Sequence, residues 1–231
     1  MSIEGSSIKK GETLLDTAMT LNALHPDVLV LRHRDSGASA LLAKKMDCAV
    51  VNAGDGSHEH PTQALLDALT IRRRRGDLDG QVIAICGDIL HSRVARSNLH
   101  AVTACGGDVI LVGPEAMVPP EIAQIPVDRA GSVTILHDLD AALESADVVM
   151  MLRVQFEREA TVGEDYRERF GLTEQRFSNF RGAIMHPGPM NRGIEIDDRV
   201  ANIDSSPHNL ILSQVTSGVA TRMAILEHLV G

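Results

Sequence analysis

The chain has 231 residues, of which 44% are hydrophobic and 23% charged, with four Phe, one Tyr and no Trp. That is globular composition, long enough for one large domain or two small ones around an aliphatic core. The net charge of −9 argues against an electrostatic nucleic-acid binder.

Taken in chain order, short apolar runs alternate with helical patterns. The first twelve residues hold no apolar h-region, so a signal peptide is not expected. A helix is predicted over 12–23, a strand over 28–31, a helix over 38–45 and a strand over 48–51. A long helix over 61–75 ends in Arg72, Arg73, Arg74 and Arg75, cations that suit the negative end of the helix dipole. Residues 76–80 are polar and Gly-bearing, the best internal boundary. Beyond them come strands over 82–86, 109–112, 133–136 and 148–152, helices over 92–105 and 139–145, and a strand ending at Met185. The last helix, 214–230, has Val215, Val219, Ala220, Met223, Leu226 and Leu229 near one face. Brief Val/Ile/Leu-rich strands between helices predict an α/β fold with parallel sheets covered on both faces. No stretch approaches the roughly 20 apolar residues needed to cross a bilayer. Cys48, Cys86 and Cys105 are odd in number and lack C-x-x-C spacing, as in a reduced, cytoplasmic protein, and Cys86 reads as a core residue.

In α/β sheets the chemistry gathers beyond the carboxyl ends of the strands, and four strand ends here are densely polar. After the second strand, His60 stands just before Pro61, which suits a first helical turn. The positive end of the helix dipole favours an oxyanion there and disfavours an imidazolium. His60 is thus a candidate neutral donor with Gln63 one turn on; the alternative is an incidental His at a helix start. After the third strand, Gly87 permits an unusual backbone angle, and Arg93 and Arg96 fall in the first turns of the next helix. A single Gly there is not the dinucleotide fingerprint, and two solvated or acid-paired arginines remain the alternative. Arg153 and Gln155 follow the strand over 148–152 on one side. Arg153 offers a planar fork for a carboxylate, against the alternative of an edge salt bridge. Residues 186–193, His-Pro-Gly-Pro-Met-Asn-Arg-Gly, form a stiffened turn whose backbone groups either meet a ligand or merely turn the chain.

Set together, five stretches resemble the aspartate carbamoyltransferases, in order along essentially the whole chain. They are Ser6-Ser-Ile-Lys-Lys10-Gly-Glu-Thr-Leu14, His60-Pro-Thr-Gln63, Gly87-Asp-Ile-Leu-His-Ser-Arg93-Val-Ala-Arg-Ser-Asn98, Leu152-Arg-Val-Gln155-Phe-Glu-Arg158 and His186-Pro-Gly-Pro189. Ornithine carbamoyltransferases share the fold but carry a Cys where Pro187 stands here, together with an ornithine loop not found in this chain.

The resemblance implies carbamoyl transfer from carbamoyl phosphate to the amine of L-aspartate in de novo pyrimidine (UMP) biosynthesis, with no cofactor and no metal. His60 and Gln63 would contact the carbamoyl group, Arg32 its carbonyl or phosphate, and Gly188 and Pro189 its other end. Arg93, Arg153 and Gln155 would hold aspartate. Ser6 and Lys10 would reach a neighbouring subunit's site in a homotrimer, and Glu157 and Arg158 would anchor a loop over aspartate. His60 and Arg32 would stabilise the developing oxyanion. Two lobes are implied: a partial carbamoyl phosphate domain over 1–75, joined by the last helix, 213–231, and an aspartate domain over 76–212. Regulatory or dihydroorotase subunits stay open as partners; nucleic acid and membrane do not. The family's Ser-x-Arg-Thr phosphate motif, expected upstream of Ser6, does not occur in these 231 residues. The expectation is a chain without the family's N-terminal segment and with impaired activity. The rivals are a carbamoyltransferase for another amine and a non-catalytic homologue that assembles with a partner.

Overall fold

The structure, a computed structural model, describes residues 13–125, 131–154, 165–202 and 206–231. Thr13 opens the first helix, α1 (Leu14–Asn22), with a reciprocal cap. The Thr13 hydroxyl accepts from the Asp16 N–H and the Asp16 carboxylate accepts from the Thr13 N–H, so two donors of the first turn are satisfied. Strands β1 (Val28–His33) and β2 (Ala49–Asp55) pair in parallel, with α2 (Ala38–Ala43) between them in the chain. Helix α3 (Pro61–Arg75) follows, with Pro61 in its first turn and the four exposed arginines in its last. Gly76, at φ 91°, ends it in a backbone conformation that glycine adopts at little cost.

The second sheet is built from β3 (Val82–Cys86), β4 (Asp108–Val112), β5 (Val133–Leu136), β6 (Val148–Met151) and β7 (Ala183–Met185), all parallel, in the order β5-β4-β3-β6-β7. Helices α4 (Arg93–Ala104) and α5 (Leu139–Ser145) lie between its strands in the chain. The short helices α6 (Tyr166–Phe170), α7 (Glu174–Asn179) and α8 (Asp198–Ala201) belong to the later connections. Ile83, Ile85, Cys86, Val148, Met150 and Met151 are fully buried, as continuous apolar runs in a doubly covered parallel sheet should be. Each such aliphatic side chain contributes roughly 1.5–3 kcal/mol by its burial. Composition predicts an aliphatic core, but the core is not wholly so: Phe170, Tyr166 and Phe180 are buried in it as well.

The chain runs from β3 outward to β4 and β5, then returns to the other side of β3 as β6 and β7. The order therefore reverses between β3 and β6. A crevice opens beyond the carboxyl ends of the strands at such a reversal.

The last helix, α9 (Ile211–Val230), starts three residues earlier than the pattern over 214–230 suggests, and it packs on α3. Its apolar stripe does not face that contact. Gln214, Ser217 and Gly218 are buried, whereas Val215, Val219 and Met223 are 60–66% exposed. Two causes set this docking face. Gln214 supplies a donor that the buried Asp67 of α3 requires. Gly218 lets the helices approach so closely that a Cβ there would stand 3.3 Å from Leu66 Cδ2. Met19 of α1 and Val30 of β1 are also more than half exposed.

Candidate active site

The chain reversal between β3 and β6 brings the loops after both strands together. Gly87, directly after β3, sits at φ 138°, and a Cβ on it would lie 3.0 Å from both Leu152 Cβ and Leu152 O. Only a glycine lets the two strand ends approach so closely. Leu152 N–H donates to Cys86 O at 2.8 Å, so the ladder runs on to the residue before Arg153. Asp88 then fixes the turn into α4 by accepting from the His91 backbone N–H at 3.2 Å, with His91 Nδ1 at 2.9 Å. Ser92 caps α4 through Ala95 N–H at 3.1 Å, which places Arg93 at the first helical position.

A cavity of about 170 Å³ lies at this crevice, lined by Arg32, Gly56, Arg93, Arg153, Gly188 and Pro189 among others. Five of the residues singled out in the sequence therefore meet around one space. They come from the ends of β1, β6 and β7 and the start of α4. Arg93 also ties the two sheets together: its Nη1 donates to Gly56 O at 3.2 Å, and its guanidinium lies where a Cβ on Gly54 (φ 113°) would be, 2.7 Å from Nε. The Gly54–Gly56 backbone is shaped from beneath by Asp55, which is buried and accepts from Gly37 N–H (2.6 Å), Asn52 Nδ2 (2.8 Å) and Glu59 N–H (3.1 Å). Burial raises the Asp55 pKa, but these bonds and His58 outweigh it and hold the carboxyl below its ordinary value.

His60 and Gln63 are not among the residues lining the cavity; they stand behind it at the start of α3. The His60 backbone N–H donates to Ser97 Oγ of α4 at 2.8 Å, satisfying a donor at the helix entry. Burial, and then the cations of Arg93, Arg32 and Arg222, push the His60 imidazole down to about 4. It is neutral near pH 7, the state the helix dipole alone suggested. Gln63 is buried, and its Nε2 donates to Asp67 Oδ1 at 3.0 Å.

The turn after β7 is held from several sides. Gln214 Oε1 accepts from His186 N–H at 2.8 Å, and Gly188 N–H donates to His186 Nδ1 at 2.9 Å. Since Nδ1 accepts, the ring proton sits on Nε2, which faces Glu195 Oε1 at 3.4 Å. Glu195 also accepts from Asn191 N–H, and Asn191 Nδ2 donates to Val154 O at 2.8 Å. The turn is thereby braced against the segment that follows Arg153.

Ser6, Lys10, Gln155, Glu157 and Arg158 lie outside the described residues. Ser97, Arg222, Asp67 and Gln214 take part in the site and its support without having been singled out. Ser97 stands within the stretch Gly87–Asn98 without a signal of its own, and Asp67 and Gln214 look like ordinary polar helix residues until their partners are known.

Parallel strands that reverse order, with an arginine-lined crevice at the reversal and a neutral His at a helix start behind it, define a site for a small anionic substrate. Residues 1–73 match the carbamoyl-P binding domain of aspartate/ornithine carbamoyltransferase, and residues 79–229 match its Asp/Orn binding domain. The chain belongs to the aspartate/ornithine carbamoyltransferase family. Within it, the chain is similar to the aspartate carbamoyltransferase catalytic subunit of Rhodospirillum rubrum, 56% identical over all of this chain and 72% of that protein. The corresponding subunit of Granulibacter bethesdensis is 55% identical over 99% of this chain and 72% of its own length. Among solved structures, aspartate transcarbamoylase from Trypanosoma cruzi in complex with N-(phosphonacetyl)-L-aspartic acid superposes with a TM-score of 0.88 at 32% identity, covering 100% of this chain and 74% of that one. Its complex with aspartate and phosphate gives 0.85 at 33%, covering 100% of this chain and 73% of that one.

Proposed function

We propose that the chain transfers the carbamoyl group of carbamoyl phosphate to the amine of L-aspartate, forming N-carbamoyl-L-aspartate and phosphate, within pyrimidine biosynthesis. The observation that carries this reading is the meeting of Arg32, Arg93, Arg153 and the turn bearing Gly188 and Pro189 around one cavity. The relatives' names and the ligands of the Trypanosoma cruzi complexes supply the substrates.

In this reading Arg93 and Arg153, with Gln155, hold the two carboxylates of aspartate, for which planar guanidinium forks are matched. Arg32 and neutral His60 donate to the carbamoyl carbonyl oxygen, and Arg32 also meets phosphate. Gln63 and the backbone at Gly188 and Pro189 take the carbamoyl amide. The aspartate amine attacks the carbamoyl carbon, the carbonyl oxygen gains negative charge, and as the carbonyl re-forms the C–O bond to phosphate breaks with its electron pair, the departing phosphate taking the proton that the amine loses. Donors already aimed at that oxygen act chiefly in the transition state, and holding two anions side by side removes much of the entropic cost of their meeting. Ser6 and Lys10 from a neighbouring subunit complete the site, so the active form is a cytoplasmic homotrimer.

The test is phosphate release with both substrates. Release should require L-aspartate and fail with ornithine; release that ignores aspartate would refute the reading.

A further inference from the structure

We infer that Asp67 is a positioning residue for the carbamoyl end of the site: it sets which end of the Gln63 amide faces a ligand and, through Gln214, anchors the turn that bears Gly188 and Pro189. The substrate in this statement rests on the proposed reaction; the orientation of Gln63 does not.

Asp67 is wholly buried on α3, one turn beyond Gln63. A carboxylate has only acceptors to offer, and three amides donate to this one. Gln63 Nε2 and Gln214 Nε2 reach Oδ1 at 3.0 and 2.8 Å, and Asn98 Nδ2 reaches Oδ2 at 2.9 Å. Burial raises the Asp67 pKa to about 6 against the lowering effect of these bonds and of Arg222, so the group is an anion at neutral pH.

A glutamine amide has two ends of nearly equal shape and a broad, roughly two-fold last torsion, so nothing in Gln63 itself chooses between them. Donation from Nε2 to Asp67 makes the choice and leaves Oε1 as the end turned away from the carboxylate. The choice matters for a carbamoyl group, which presents an NH₂ needing an acceptor beside a C=O needing a donor. With Nε2 taken by Asp67, Oε1 is the end that Gln63 has left to accept from an NH₂; reversed, it would set a donor against donors.

The second arm runs through α9. Because Gln214 Nε2 is held by Asp67, its Oε1 is left to accept the His186 N–H at 2.8 Å. The His186 ring in turn accepts from Gly188 N–H at 2.9 Å. One carboxylate thus sets contacts that arrive from α3 and from the turn after β7.

The test compares Asp67→Ala with Asn98→Ala in the full chain. Asn98→Ala removes a bond to the same carboxylate but neither glutamine bond, so it reads what a loosened interior does by itself. Asp67→Ala should raise KM for carbamoyl phosphate about tenfold or more, the loss of roughly one charge-assisted bond, and leave KM for aspartate within about twofold. Asn98→Ala should lower stability and leave both KM values within about twofold. Equal KM changes in the two variants would overturn the inference. Should Asp67→Ala fail to fold, Asp67→Leu keeps a side chain of similar shape that offers no acceptor, and side-chain ¹⁵N spectra of glutamine-labelled protein give the same answer without substrate. The Gln63 NH₂ should exchange slowly with solvent in the parent and much faster in the variant. A parent NH₂ that exchanges at the free-amide rate overturns the inference. A protected NH₂ in a protein without turnover counts against the proposed reaction alone.

Discussion

His60→Gln should alter how stability depends on pH. The folded-state pKa of His60 is about 4 against an ordinary 6.5. The unfolded chain therefore binds the proton more readily, and folding loses stability as pH falls from above 6.5 toward 4. Between about pH 8 and about pH 5 the loss works out at about 2 kcal/mol from these two values, at 1.36 kcal/mol per pKa unit. Below pH 4 the full 2.5-unit difference corresponds to about 3 kcal/mol. Glutamine keeps a donor of similar reach and does not titrate in this range. The assay is urea unfolding of parent and variant at both pH values, comparing the change for each protein, so that the other nine histidines cancel. The variant should lose about 2 kcal/mol less than the parent. Equal losses would mean that His60 titrates normally in the folded protein, and its burial among three arginine charges would not explain its state. Asp67 contributes with the opposite sign. Its pKa is raised from 3.8 to about 6, so it favours the folded state as pH falls through that window, and Asp67→Asn should steepen the acid loss that His60→Gln relieves.

Arg153→Ala should weaken aspartate binding about tenfold or more, the loss of one charge-assisted pair, and leave carbamoyl phosphate binding within about threefold; calorimetry showing equal losses for both ligands would contradict its role. Gly87→Ala should destabilise the fold by at least about 2 kcal/mol, since a positive φ costs about 1–3 kcal/mol and the new Cβ meets the Leu152 backbone at 3.0 Å; an unchanged urea midpoint would show that the strand ends yield freely. Val219→Gln and Met223→Gln should change stability by no more than about 0.5 kcal/mol, as surface substitutions do, and should reduce self-association in sedimentation runs. A loss above about 2 kcal/mol would show these side chains to be buried.

The sheet strands were legible because parallel strands covered on both faces must be apolar throughout: β3 and β5 occupy the residues that the runs over 82–86 and 133–136 suggest. Helices α6, α7 and α8 were not, because four to six residues carry no period. Tertiary bonds hold that region instead, such as the Asp197 carboxylate accepting from Arg167 at 2.8 Å and from Glu174 N–H at 3.2 Å. At the site, His60, Arg93 and Arg153 stood out by following strand ends, a local signal. Asp67 and Gln214 did not, because their bond joins positions 147 apart and each alone resembles a solvated helix residue. The face of α9 was misleading for a related reason: an apolar stripe marks the buried side only when no buried polar group competes for the contact, and here Asp67 does.

The return of α9 to α3 also sets a timetable for synthesis. Helix α3 ends at Arg75 and α9 begins at Ile211, so about 136 residues are added between them, some 7–27 s of elongation at roughly 5–20 residues per second. Throughout that interval the Asp67 carboxylate has no Gln214 to accept from, and the face of α3 that α9 covers is bare on the ribosome. The second sheet lies wholly between these helices in the chain and can close first. A nascent chain stalled before residue 211 would therefore expose α3 to proteases and holdase chaperones while its β3–β7 sheet is already protected, and emergence of α9 would change that pattern in a single step.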